Sequence, residues 1–331
     1  MKKILYSFMI LILFSCQSQN EKYQGLEGNA LGTTFHITYK DKLNRDLVKD
    51  IDSLIHIVNH SLSTYLSESD ISRINAGDGT VVVDKMFKEV FEKSKRIYQE
   101  TDGVFDPTIG VLVNAWGFGP GKEINDISKK TVDSLLQLVG FDKVSIENGR
   151  VVKKKEGMYL DFNADAKGYA VDVIGRFFEE KGIQDYMIEL GGEIRARGKN
   201  DKGKNWKIAI EKPNFDGSRS FQAFLELQDE SIATSGNYRK YKIDKKTGKK
   251  YAHTMDPKTG YPAKSNLLSA SVIAKLDCAD VDGYATALMA MGLDKSVKFL
   301  KAHPELKSFL IYIDKKGEVK TYKTDNLTLI N

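Results

Sequence analysis

The chain has 331 residues, with 50 lysines and arginines against 45 aspartates and glutamates, a formal net charge of +5. That length allows a large core and one or two domains, and so small a positive excess excludes the imbalance typical of nucleic-acid-binding proteins. Only Cys16 and Cys278 exist, so if Cys16 is modified no disulfide is available and the fold must rely on its core.

Residues 1–15 read as an export signal. Lys2 and Lys3 form a charged start, and Ile4 to Phe14 is an apolar run too short to span a bilayer comfortably. It ends at Leu13-Phe-Ser-Cys16, which has the shape of a bacterial lipobox, with an ordinary secretory signal as the alternative. Acyl chains on Cys16 would anchor the protein stably. Residues 16–27 then read as a lipidated tether, polar from Gln17 to Glu21, and residues 28–331 as the folded domain. The expected location is the periplasmic side of a bacterial membrane. Gln17 after the cysteine leans towards the outer one, by analogy with enteric sorting. Loss of Lys2 and Lys3 would lower the charge from +5 to +3.

Further along, Thr33 to Tyr39 alternates as a strand, and Leu47, Ile51, Leu54, Ile55 and Val58 recur at helical spacing. His56 and His60 sit four apart on that helix, but Ile57 stands where a zinc protease needs glutamate, so they read as ordinary helix histidines. Phe87, Val90, Phe91, Ile97 and Tyr98 mark a second helix, followed by the junctions Thr101-Asp-Gly-Val-Phe-Asp-Pro107 and Asn114-Ala-Trp-Gly-Phe-Gly119. Val132 to Val139 predicts a short helix closed by Gly140. Asp161-Phe-Asn-Ala-Asp-Ala-Lys-Gly168 leads into a helix from about Gly168 to Lys181, capped by Gly182.

In the second half, Tyr186 to Leu190, Trp206 to Glu211, Phe221 to Leu227, Leu268 to Ala274 and Phe309 to Ile313 read as strands, and Lys245-Lys-Thr-Gly248 and Asp314-Lys-Lys-Gly317 as hairpin turns. Glu189-Leu-Gly-Gly-Glu193 breaks a strand with two glycines, which bend the chain or let backbone approach a ligand. Helices and strands mix without regular alternation, which predicts an α+β fold with largely antiparallel sheets.

Two stretches carry the strongest chemical signal. In Asp282-Gly-Tyr-Ala-Thr286 a carboxylate and a hydroxyl lie four apart in a helix-compatible run ending at Gly292. They fall on one helix face and could hold Mg²⁺, which prefers oxygen and reaches substrate phosphates through few protein groups. His253-Thr-Met-Asp-Pro257 sets an imidazole near a carboxylate. Together they point to metal-assisted phosphoryl chemistry. No G-x-G-x-x-G, P-loop or G-x-S-x-G occurs.

Taken in order, the junctions resemble the FAD:protein FMN transferase (ApbE) family. The resemblance runs from about Gly28 to about Leu300 through Leu31-Gly-Thr-Thr-Phe35, Leu62-Ser-Thr-Tyr65, Ser72-Arg-Ile-Asn75 and Thr101-Asp-Gly-Val-Phe-Asp-Pro-Thr108. It continues through Trp116-Gly-Phe-Gly-Pro120, Asp165-Ala-Lys-Gly-Tyr-Ala170, Leu190-Gly-Gly-Glu-Ile-Arg195 and Ala233-Thr-Ser-Gly236. It closes with His253-Thr-Met-Asp-Pro-Lys-Thr-Gly-Tyr-Pro262 and Asp282-Gly-Tyr-Ala-Thr286.

The resemblance implies that FAD is split at its pyrophosphate and that FMN passes to a threonine of an acceptor flavoprotein, such as a subunit of a membrane redox complex, releasing AMP. It implies Asp282, Thr286 and the Ala164 carbonyl as Mg²⁺ ligands, and Asp161 and Lys167 as FAD contacts. Leu31, Tyr65, Val104, Phe105 and Asp106 would line the flavin and adenine pocket, with Met255 near the nucleotide. Leu31 and Asp165 depart from the family pattern, where methionine and an apolar residue are usual. For the base that activates the threonine, His253 is preferred over Asp282, whose acidity a bound metal would increase. An FAD pyrophosphatase and a non-catalytic flavin-binding lipoprotein remain as alternatives.

Overall fold

A two-residue turn at Leu31 and Gly32, both at positive φ (48° and 76°), folds the first strand back on the second, the backbone a type I′ hairpin requires. The computed structural model describes residues 22–330 apart from 215, 217, 238–240 and 244–249. Strands β1 (Tyr23–Ala30) and β2 (Thr33–Lys40) are followed by helices α1 (Val48–Leu62), α2 (Asp70–Asn75), α3 (Lys85–Glu100), α4 (Gly110–Ala115) and α5 (Lys129–Leu136). A small hairpin, β3 (Val144–Glu147) with β4 (Arg150–Lys153), leads to α6 (Ala166–Glu180). Then come β5 (Asp185–Leu190), β6 (Glu193–Arg197), the hairpin β7 (Trp206–Glu211) with β8 (Phe221–Leu227), and β9 (Ser231–Gly236). The short pair β10 (Tyr241–Ile243) and β11 (Lys250–Ala252) precedes β12 (Leu267–Ala274), α7 (Cys278–Met291), α8 (Leu293–Ala302), β13 (Lys307–Ile313) and β14 (Val319–Lys323).

Eight strands form one sheet in the order β1-β2-β5-β6-β9-β12-β13-β14, and each neighbouring pair is antiparallel. The expected α+β architecture is what the chain adopts. Its two faces bury two cores. Tyr186, Ile188 and Leu190 alternate on β5 and join the larger core with α1, α3, α6 and α7. Trp206, Ile208 and Ile210 alternate on β7 and close the smaller core against Ile194, Ile232, Ile273 and Ile311. β12 is therefore buried along its whole length, as a central strand covered on both faces must be.

Helices α6 and α7 are buried nearly all round, the pattern of helices enclosed within a large protein. They touch at Gly168. A Cβ there would lie 2.5 Å from the Cys278 carbonyl oxygen and 2.7 Å from the Ala279 nitrogen, so only hydrogen lets the two backbones meet. Cys278 itself is a buried small side chain with no disulfide, as expected of a residue without a partner thiol.

Three expectations change. The sheet begins at Tyr23, inside the segment read as tether, because Gln24, Gly25, Glu27 and Asn29 of this edge strand carry no apolar alternation. The helix expected to run to Val139 stops at Leu136, before Gly140 at φ 135°. Asp165, a carboxylate where the family pattern has an apolar residue, nonetheless points inward: it is fully buried and bonded to the Ser94 hydroxyl. The 245–248 turn and residues 1–21, with Cys16, lie outside the described residues. No described helix is long and apolar enough to cross a membrane.

Gly168→Ala is expected to destabilise the fold by about 1–3 kcal/mol, the cost of overpacking. Gly25→Ala, where a Cβ meets nothing within 4 Å, should stay within about 0.5 kcal/mol. Urea denaturation of both variants checks this; equal midpoints would refute the close helix contact.

Candidate active site

Residues on α6 and α7 meet in steps of four running in opposite directions. The Asp172 carboxylate accepts from the Cys278 and Ala279 N–H groups at 2.8 and 2.9 Å. One turn earlier on α6 and one turn later on α7, the Gly168 N–H donates to Asp282 Oδ2 at 3.2 Å. One further step leads to Ala164 and Thr286, both of which line a cavity of about 730 Å³. The contact between the helices thus carries the loop before α6 onto the polar face of α7.

That loop is held at both ends. The Asp161 N–H donates to the Pro107 carbonyl at 2.8 Å, and the Asn163 amide donates to the Thr64 hydroxyl at 3.0 Å, bringing Tyr65 to the cavity mouth with 65% of its surface exposed. On the opposite wall, Gly260 N–H donates to the Asp256 carbonyl at 2.8 Å and Asp256 N–H to the Tyr261 carbonyl at 2.9 Å, closing the turn that presents His253. Trp116 Nε1 donates to the Gly260 carbonyl at 3.0 Å, which joins the junction at residues 114–119 to this turn.

The electrostatic centre is Lys167. Its ammonium lies 2.9 Å from Glu193 Oε1 and 3.7 Å from Asp282 Oδ2, and both carboxylates are 2% exposed. Burial pushes the Asp282 carboxyl up, opposed by Lys167 and the Gly168 N–H; burial likewise pushes Glu193 up to about 8, with Lys167 opposing and Asp282 adding. For Lys167 burial alone would lower the pKa, but the attraction of Asp282 and Glu193 wins and raises it. Asp165 adds a third buried carboxyl, raised well above its usual range first by burial, with neighbouring carboxylates adding to the rise.

Two buried carboxylates, Glu193 and Asp282, thus share one ammonium, and Glu193 Oε2 has no hydrogen-bond partner among the described residues; Asp165 Oδ1, outside the cavity lining, is likewise without one among them. Unpaired buried acids are costly, so the site favours an added cation. Among the described residues no group of three His, Cys, Asp or Glu side chains forms a metal cage. One carboxylate (Asp282), one hydroxyl (Thr286, 3.2 Å from Ser235 Oγ) and one carbonyl (Ala164) are instead the hard oxygen donors that suit Mg²⁺ with water and phosphate completing its shell.

Of the residues predicted from sequence, Tyr65, Val104, Phe105, Asp106, Asp161, Ala164, Lys167, His253, Met255, Asp282 and Thr286 all line this one cavity. Leu31 does not. It occupies the β1–β2 turn and packs against the main core, while Thr33 and Thr34 reach the cavity in its stead. Glu193 lay in a quoted motif without a role, and its partnership with Lys167 crosses from β6 to α6, which no local pattern reveals. Arg219, Phe221 and Ser269 also line the cavity; Phe221 and Ser269 come from strands β8 and β12 and Arg219 from the loop before β8, none of which carries a site motif in the sequence.

Comparison with known proteins agrees with this arrangement. A model of the ApbE family matches residues 31–310. The FAD:protein FMN transferase of Haemophilus influenzae is 35% identical over 317 residues, covering 90% of each chain. The solved flavin transferase ApbE from Vibrio cholerae superposes with a TM-score of 0.81 at 34% identity, covering 92% of this chain and 98% of that one. The apo flavinyl transferase ApbE of Pseudomonas stutzeri gives a TM-score of 0.81 at 30% identity, over 92% and 95% of the two chains. A cavity lined by nine of the ten ordered motifs, together with this likeness over most of the chain, has one reading: the chain belongs to the ApbE family.

Proposed function

We propose that this enzyme transfers FMN from FAD to a threonine of an acceptor flavoprotein, with AMP leaving and with a Mg²⁺ requirement. The observation that carries the reading is the gathering of Asp282, Thr286, Ala164 and Lys167 in one cavity with the aromatic and apolar residues Tyr65, Val104, Phe105 and Met255. A large pocket that combines apolar walls with many convergent polar groups suits a flavin dinucleotide, which has both apolar rings and a charged pyrophosphate.

The step is a displacement at phosphorus. The threonine oxygen bonds to the phosphorus of the FMN half, the bond from that phosphorus to the bridging oxygen breaks, and AMP carries that oxygen away. Such transfer rests on positioning and charge neutralisation. Mg²⁺ held by Asp282, Thr286 and the Ala164 carbonyl would neutralise charge on the pyrophosphate. Lys167, fixed by Glu193, supplies a second positive charge beside it. His253 takes the threonine proton; Asp282, facing the cation, is the weaker base.

The acceptors expected are flavoprotein subunits of membrane redox complexes, and a lipid anchor at Cys16 on the periplasmic side would keep the enzyme beside them. Support for the anchor is the Leu13-Phe-Ser-Cys16 pattern after an apolar run. Metabolic labelling with a palmitate analogue, lost on Cys16→Ser, tests it.

Incubation with FAD, Mg²⁺ and a threonine-bearing flavoprotein domain should add the mass of FMN to the acceptor and release AMP. AMP without acceptor modification would make the enzyme a pyrophosphatase, and bound FAD without AMP a carrier. Asp282→Ala is expected to lower transfer by about 100-fold or more; unchanged activity with unchanged Mg²⁺ dependence would overturn the metal assignment. His253→Ala should lower kcat by about 10²–10⁴-fold with little change in the KM for FAD, and wild-type turnover at saturating FAD would remove His253 as the base.

Asp106 gives a pH test of the pocket. Burial pushes its carboxyl from 3.8 up to about 6, against the Thr108 hydroxyl and N–H that bond it. A raised carboxyl favours folding most below about pH 4, and that contribution is lost as pH rises through about 6. Asp106→Asn should therefore gain about 2 kcal/mol more stability over wild type at pH 7.5 than at pH 4.5. Denaturation curves at the two pH values check it; a pH-independent difference would mean the carboxyl is not so perturbed.

A further inference from the structure

Helix α7 lacks the cap its own sequence offers. Asp277 stands at the N-cap position, yet makes no side-chain bond to the helix. Its carboxylate turns away to Lys93 at 2.8 Å, Arg176 at 2.9 Å and Arg195 at 2.8 Å. The first two N–H groups of the helix are satisfied from another helix: Asp172, fully buried in the middle of α6, accepts from Cys278 N–H at 2.8 Å and Ala279 N–H at 2.9 Å. Arg195 in turn donates to Asp172 Oδ1 at 2.8 Å. Gly175 leaves room for it, since a Cβ there would stand 2.7 Å from Arg195 Cδ.

A local cap stabilises a helix without saying where the helix lies. A cap supplied by α6 stabilises α7 only at one position along α6. Because Asp282 and Thr286 follow Cys278 at four-residue steps, and Lys167 and Ala164 precede Asp172 on the α6 side, that position sets how the donors of the two helices meet. We propose that Asp172, held by Arg195, is a positioning residue for flavin transfer, acting on Asp282 and Thr286 through the start of α7. This rests on the transferase reading above and adds to it a residue that does not line the cavity.

The test compares the full-length wild type, Asp172→Asn, Asp282→Ala and Glu179→Gln in three measurements: thermal melting, Mn²⁺ binding by electron paramagnetic resonance with the metal alone, and kcat and KM for FAD. Glu179 bonds Arg195 at 3.1 Å from its more exposed end and serves as the control for simple loosening of the network. Asp172→Asn is expected to weaken Mn²⁺ binding about 10–100-fold and to lower kcat by a similar factor. Glu179→Gln, which loosens the same network from its exposed end, should change both less than about threefold.

Should Asp172→Asn fail to fold, Arg195→Lys, which keeps the cation but not the planar fork, takes its place and should weaken Mn²⁺ several-fold. Wild-type Mn²⁺ affinity and kcat in a folded position-172 variant, or equal losses in the Glu179 variant, would overturn the proposal. If Asp282→Ala binds Mn²⁺ as wild type does, the metal assignment fails instead. The positioning role is then decided by kcat alone: a fall shared by the Asp172 and Asp282 variants and absent from the Glu179 variant sustains it, and any other pattern ends it.

Discussion

Everything at the active site depends on how closely two backbones can approach. Gly168 lets α6 lie against the first turn of α7 at a separation no side chain would allow, and the Gly168 N–H reaches the Asp282 carboxylate from that position. Remove that approach and the loop carrying Ala164 and Lys167 would part from the face carrying Asp282 and Thr286. Both helices are buried on nearly every side, so neither can slide without disturbing a close-packed core. Rigidity here is a property of the core, inherited by the site.

The same packing explains the electrostatics. Asp282, Glu193 and Asp165 are buried by the apolar residues that lock the helices, and burial raises all three carboxyls. A single ammonium, Lys167, lies between two of them. Acids gathered in excess of cations make a site that gains from a divalent ion, and the ion gains from the low dielectric in which its charge is felt. On the proposed reading, the anionic pyrophosphate would enter such a site more readily with the ion than without it. Substrate and metal would therefore depend on each other, as expected where the protein supplies few ligands.

Much of this was legible in the sequence, for a physical reason. Buried helices read as continuous apolar runs, so the stretch around Asp282 announced a helix, and the four-residue spacing to Thr286 announced a shared face. The His253 loop was marked by proline and glycine, and the structure uses both: Pro262 pairs with Met255 across it and Gly260 turns it at φ 75°. What stayed hidden lacked a local signal. β1 is an edge strand with polar and glycine residues at most positions. Glu193 finds Lys167 across chain segments, and Asp172 caps a helix more than a hundred residues downstream. Leu31 matched a motif but serves as a turn residue, showing that a position can keep its place in a pattern while its side chain faces the core.

The most direct test of the account is a crystal soaked with FAD and Mn²⁺ and measured at the manganese absorption edge. One anomalous peak is expected, bounded by the Asp282 carboxylate, the Thr286 hydroxyl and the Ala164 carbonyl, touching the pyrophosphate of FAD, with Lys167 beside it. An ordered dinucleotide in the cavity with the metal elsewhere, or with none of these three oxygens in its shell, would contradict it.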